Sequence, residues 1–125
     1  MTPAVATDPH APDWRRRARP LLGTLVEIGL AIDTPEAAAD AGFAAVLAVQ
    51  QALSRFDEAS DLGRFHALAA GGVLQPRPLT RRLLRAAAAL QAASAGLFDI
   101  SLGTGPAGWR LDGAGLHRLQ ARTRL

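Results

Sequence analysis

The stretch RRRARPLLGTLVEIGL, Arg15 to Leu30, decides how the fold begins. Arginines ahead of an apolar run look like an export signal, whose apolar core spans roughly 7–15 residues and ends at a small-residue cleavage site. Glu27 interrupts this run, and no Ala-x-Ala-like site follows before Asp33. The alternation predicts a strand instead, with Val26, Ile28, Leu30 and Ile32 on one face and Leu25, Glu27, Gly29 and Ala31 on the other. On this reading the arginines are a solvated lead-in and LLGT is a candidate ligand-binding turn. No stretch supplies the about 18 uncharged apolar residues of a membrane-spanning helix, so no transmembrane segment is expected.

At 125 residues the chain makes one ordinary domain. Its sequence pI near 11.2 resembles that of a nucleic-acid binder, but the value has another origin. All 14 basic residues are arginine, and Lys, Tyr and Cys are absent. Almost nothing titrates between histidine and arginine, so a net charge of only +3 gives an extreme pI. With few aromatics for base stacking, no nucleic-acid partner is expected. The lack of cysteine excludes disulfides, a thiol nucleophile and a lipid-anchoring cysteine. With no signal peptide seen either, the chain reads as cytoplasmic only as written, and its compartment stays open.

Residues 1–13 are rich in Pro and Ala without periodicity and read as a disordered tail, which leaves 14–125 as the domain. After the strand, DTPEAAADAGFAAVLAVQQALSRF reads as a helix with Thr34 as cap and Ala39, Phe43, Val46, Gln50 and Leu53 along one stripe. Ser60 can cap a short helix that Gly71 and Gly72 stop. GVLQPRP suits a short edge strand, because its prolines cannot donate to a ladder. LTRRLLRAAAALQAASAG is the strongest helix, with Thr80 as cap, Leu83, Leu84, Ala87 and Leu90 inward, and Gly96 at C′. A hairpin is expected around Asp112-Gly113, between Trp109 and Leu111 on one side and Leu116 and Leu119 on the other. The class is α+β, with a mixed sheet and packed helices.

No nucleophile-base-acid set stands out, and His10, His66 and His117 have no metal-ligand spacing. Asp57, Glu58 and Asp61 could hold a hard cation, though a solvated helix-capping turn is the simpler reading. Arg81 and Arg82 oppose the helix dipole and are read as solvated. GTGPAG matches neither the P-loop nor the dinucleotide fingerprint. Taken singly, Phe56, Phe65, Phe98 and Trp109 are core or lid aromatics.

The ordered set says more than its parts. RPLLGTLVEI, then LSRFDEASDLGRF, then GLFDISLG and Trp109 resembles the FAD:protein FMN transferases, the ApbE-type flavin transferases. In that family the corresponding motifs are Pro-Met-Gly-Thr, Ser-x-Tyr/Phe with Ser-Glu-Leu-Ser-x-Leu/Phe-Asn, Gly-Ala-Phe-Asp-x-Thr-x-Gly, and a Trp. The resemblance covers about residues 16–125 and implies an incomplete ApbE-like domain. It implies binding of FAD as substrate with Mg²⁺, and transfer of FMN to a Thr or Ser hydroxyl of a flavin-acceptor protein, releasing AMP. By position, Leu22 falls on a flavin-contacting residue that is often Met. Phe56 matches an aromatic that packs on the flavin, and Leu97, Phe98 and Asp99 match the Ala-Phe-Asp segment that contacts the cofactor. Family members are often periplasmic or membrane-anchored.

Three positions depart from the pattern. His66 stands at the usual Asn, Gly63 at a common Ser, and Ser101 at the usual Thr. In the family a strand like ARTRL runs into Asp-x-Gly-Gly-x-Ala-Lys-Gly and then the Mg²⁺ and acceptor segments. No catalytic or metal-ligating residue is therefore expected within these 125 residues, and the metal ligands are expected beyond Leu125. The chain alone is expected to be inactive. The alternative is a non-catalytic flavin-binding or protein-interaction module, and a basic helical adaptor without flavin affinity is a third reading.

Overall fold

The computed structural model describes residues 13–125, so the expected tail lies outside the described residues except for Asp13. Two compact units divide the chain at Leu47 and Ala48. The strands and helices together make the chain α+β, as the sequence predicts.

The first unit opens with an antiparallel hairpin of β1 (Trp14–Leu21) and β2 (Thr24–Ala31). The arginine run is thus a strand, not a lead-in. Its alternate arginines reach the start of α1 (Glu36–Leu53). Arg15 and Arg17 both engage Glu36, and Arg19 donates to Asp40 at 2.7 Å while lying 4.6 Å above the Phe43 ring. A strand whose contacts to a helix are made by guanidinium groups has no apolar alternation to read. Val26, Ile28 and Leu30 share the half-buried face of β2 as expected. Ile32 lies past the strand end and is exposed, with its amide bonded to the Asp13 carbonyl at 2.8 Å. Helix and hairpin approach closely at Gly42, where an added Cβ would stand 2.6 Å from the Ile28 Cδ1. Thr34 precedes α1 by two positions, and its carbonyl accepts from Arg15.

The second unit holds α2 (Asp61–Ala67), β3 (Val73–Leu74), α3 (Pro78–Ala93), β4 (Trp109–Asp112) and β5 (Gly115–Arg118). The strands form an antiparallel sheet in the order β3-β5-β4, which puts the proline-flanked β3 at an edge as expected. Asp112 shapes the β4–β5 turn by accepting from the Ala114 and Gly115 amides. Phe65, Leu74, Leu84, Trp109 and Leu116 form the core, with Leu68, Ile100, Leu111 and Leu125 packed on it.

Several local readings are corrected. Ser60 caps α2 as expected, accepting from the Gly63 amide at 2.9 Å. Asp61, read as solvated, is fully buried. It accepts from the Arg77 amide at 2.7 Å and from the Arg64 and Arg77 guanidiniums at 3.2 and 3.3 Å, tying α2 to the start of α3. Helix α3 begins earlier than expected, with Arg77 at N-cap and Pro78 at N1, where its missing N–H costs nothing. Thr80 is therefore inside the first turn and fully buried. Arg81 is not simply solvated, since it donates to the Asp112 carbonyl at 2.8 Å and to Gln75 at 3.2 Å. Leu90 is half exposed rather than inward, one turn beyond the buried Ala87. The helix closes in a Schellman motif with Ala95, not Gly96, at C′: the Ala95 amide bonds Ala92 and the Gly96 amide bonds Gln91.

Candidate functional site

The LLGT turn joins β1 to β2 through Leu22 and Gly23, at φ 58° and 70°. Both central residues of this two-residue hairpin loop are left-handed, the pattern that suits Asn-Gly best. Leucine at the first position stores backbone strain, and such strain gathers at ligand clamps. Leu22 is 54% exposed, a bulky apolar side chain held outward on a strained turn.

Phe56 lies on the loop between α1 and α2 and is 85% exposed, with the Arg55 guanidinium 4.8 Å from its ring centroid. An exposed ring beside a cation is a ready stacking platform for a flat, electron-poor heterocycle. Among the described residues, no ring or hydrogen-bond contact joins Phe56 to the Leu97–Asp99 segment. Leu22 belongs to the first unit and the other four candidates to the second.

Directly after the Schellman turn, the Ser94 hydroxyl accepts from the Phe98 amide at 2.9 Å. Leu97 is 93% exposed and Phe98 38%. Asp99 turns the chain: one carboxylate oxygen accepts from the Ser101 amide and hydroxyl at 2.8 and 2.7 Å, the other from the Gly103 amide at 2.9 Å. The Ser101 hydroxyl, helped by the two amides, holds the Asp99 carboxyl below its ordinary range despite desolvation. The carboxylate is thus committed to its own loop, and this segment offers a ligand its backbone and its apolar side chains. Ser101 keeps the hydroxyl that the resemblance associates with Thr, donating to Asp99 and accepting from the Gly105 amide.

The other two departures also have local causes. At Gly63 an added Cβ would lie 2.1 Å from the Asp57 carbonyl oxygen and 2.8 Å from the Glu58 Cα, so a serine has no room. His66 accepts at Nε2 from the Leu125 amide at 3.1 Å, a role open to an Asn oxygen as well. Burial, then the charges of Arg124, Arg118 and Arg55, push the His66 pKa below its ordinary value. ARTRL, expected as a strand, is instead held by side chains: the Arg124 amide donates to Thr104 and the Leu125 amide to His66.

Sequence reasoning did not single out Arg118, the residue that organises this end of the unit. It is 5% exposed and donates to the His66 carbonyl at 2.7 Å and the Thr123 carbonyl at 3.3 Å, with its guanidinium 5.6 Å from the Phe65 ring. An arginine in a strand carries no signal that it will turn inward to backbone carbonyls.

The His66 geometry sets a pH dependence. In the unfolded chain the imidazole titrates near about 6.5, and in the fold its pKa is lower. Above both values it is neutral in both states and its stabilising bond is fully present. As pH falls through the unfolded value, the unfolded chain takes up the proton first and stability drops. The drop ends below the depressed folded value. Urea midpoints at about pH 7.5 and about pH 5.5 should therefore differ more for the wild type than for His66→Asn. Equal differences in the two proteins would remove the role assigned to this imidazole.

A sequence profile described as the ApbE family matches residues 22–124. Among solved structures, the apo flavinyl transferase ApbE of Pseudomonas stutzeri aligns with TM-score 0.72 and 24% identity over 95% of this chain and 46% of that one. The ApbE protein of Thermotoga maritima aligns with TM-score 0.77 and 15% identity over 90% and 47%. The flavin transferase ApbE of Vibrio cholerae gives TM-score 0.78 and 13% identity over 91% and 48%. The chain spans about half the length of these proteins. No functionally curated protein matches it.

Proposed function

Because the chain belongs to the ApbE family, we propose that it forms the flavin-contacting half of an FAD:protein FMN transferase. The observation that carries this reading is the profile match over 22–124, which takes in Leu22-Gly23-Thr24, Phe56 and Leu97-Phe98-Asp99 in order. Leu22, Phe56 and Leu97 are exposed, as contact with a ligand requires.

In the proposed reaction the acceptor's Thr or Ser oxygen bonds to the phosphorus of the FMN portion of FAD. The pyrophosphate P–O bond breaks, AMP leaves with the bridging oxygen, and the hydroxyl proton passes to a base or to water. This chain's part is binding and orientation. Phe56 offers its ring to the isoalloxazine, and Leu22 and Leu97 offer apolar contact. The Phe98–Asp99 backbone, fixed by Ser94 and Ser101, meets the polar ring edge. Mg²⁺, when bound, neutralises pyrophosphate charge. Among the described residues no group of three or more His, Cys, Asp or Glu is placed to hold a metal ion, so none of them is assigned to it. Positioning of the phosphate oxygens dominates phosphoryl transfer, and the 125 residues by themselves are proposed not to catalyse it.

In a chain extended with the family's downstream half, Phe56→Ala should weaken FAD binding about tenfold, the scale of one lost aromatic contact with its buried area. Quenching of FAD fluorescence on titration reads this directly. Unchanged affinity would remove Phe56 from the flavin site.

A further inference from the structure

We propose an anion site in the cavity between α2 and the loop that precedes it, for a phosphate or pyrophosphate group. The cavity has a volume of about 540 Å³ and is lined by Arg55 and Glu58 of the loop and by Gly63, Arg64, His66 and Ala67 of the helix. That volume falls in the range of small-ligand sites, roughly 300–1,000 Å³. The two walls meet at Gly63, where an added Cβ would stand 2.8 Å from the Glu58 Cα. None of the residues proposed for flavin contact lines the cavity, and the inference is independent of the flavin reading.

The sign and number of the surrounding charges select the ligand. Arg55 and Arg64 line the cavity, and the charges of Arg124, Arg118 and Arg55 all act on His66 in its wall. Of these four arginines only Arg64 has a carboxylate partner among the described residues, and it shares that partner, Asp61, with Arg77. Glu58 is the single carboxylate of the lining, so positive charge is in excess.

Arg118 adds a second effect. The carbonyls that close a helix carry partial negative charge and repel anions. Arg118 donates to the carbonyls of His66 and Leu68 at the end of α2, which covers that negative end. Its guanidinium is only 5% exposed, and a buried charge without a counter-charge is costly. An oxyanion in the cavity supplies that counter-charge over the range at which Arg118 already acts on His66. A divalent phosphate gains from several guanidiniums at once and pairs with their forked N–H groups, where a monovalent carboxylate gains less.

The chain has three histidines, so the imidazole signals of an NMR spectrum report this cavity directly, with His66→Asn for assignment. The probes are inorganic pyrophosphate, phenyl phosphate and the monovalent benzoate. Pyrophosphate or phenyl phosphate should shift the His66 signals saturably and raise the His66 pKa, because the anion offsets the guanidinium charges that depress it. Arg55→Gln should weaken binding about tenfold, and Glu58→Gln should tighten it about threefold by removing a repulsive carboxylate. Both side chains are exposed, so these variants keep the fold. Arg16→Gln, at an exposed arginine of the first unit, should leave binding unchanged. The ratio of the pyrophosphate and phenyl phosphate affinities then tells a free anion from an organic phosphate. The proposal is overturned if neither phosphate shifts His66 saturably, or if benzoate binds as tightly as phenyl phosphate. It is also overturned if Arg16→Gln weakens binding as much as Arg55→Gln, or if Glu58→Gln weakens it.

Discussion

Replacing Phe65 with alanine should lower the unfolding free energy of the second unit by about 3–5 kcal/mol. The side chain is fully buried at the centre of the core, against Leu74, Leu84, Trp109 and Leu116. Its removal loses the transfer energy of a phenyl ring and opens a cavity that the sheet and α3 cannot fully close. It also takes away the ring beneath the Arg118 guanidinium, which has no carboxylate partner among the described residues. Domains of this kind hold only about 5–15 kcal/mol in total, so the variant should be unfolded or nearly so at moderate urea. Urea unfolding followed by Trp109 fluorescence, in a Trp14→Phe background, measures the loss. A loss near that of a surface substitution would mean the core is organised elsewhere.

Asp61→Ala should cost about 2–3 kcal/mol, by a different route. The carboxylate is fully buried and accepts from the Arg77 backbone amide. Deleting it strands that amide, the N-cap N–H of α3, without a partner. The two guanidiniums that also reach Asp61 are 47% exposed and rehydrate when released, so their loss adds little. Asp61→Asn keeps an acceptor for the Arg77 amide and should recover about half of the loss. If alanine and asparagine are equally destabilising in the same urea experiment, the charge rather than the amide bond is what matters.

These residues also show where the sequence stops speaking. β2, α3 and the Asp112 turn were legible because apolar period and turn chemistry agree there. β1 was not, because Arg15, Arg17 and Arg19 contact α1 through charge and ring-face interactions that leave no hydrophobic alternation. The start of α3 was misplaced because Thr80 is a better cap by residue type than Arg77. Pro78 at N1 and the reach of Asp61 to the Arg77 amide fix the true start, and that contact joins positions 16 residues apart. Asp61 and Arg118 are buried polar groups with partners in distant segments, and composition cannot announce them. Among the candidate flavin residues, Phe56 and Leu97 could be picked out by family pattern alone, because an exposed aromatic and an exposed leucine have no periodicity to mark them. The positive φ of Leu22 is a structural sign that the motif reading did not contain.

The central claim, that these residues are the flavin-contacting half of an FMN transferase, is tested most directly by incubation with FAD, Mg²⁺ and an acceptor peptide carrying the target Thr, with AMP release and peptide mass followed together. The 125 residues alone should give neither product. The same chain extended with the family's downstream half should give both in equal amounts, at a rate reduced by Phe56→Ala when FAD is limiting. Mg²⁺-dependent peptide modification by the 125 residues alone, or none by a folded extended chain, would contradict the account.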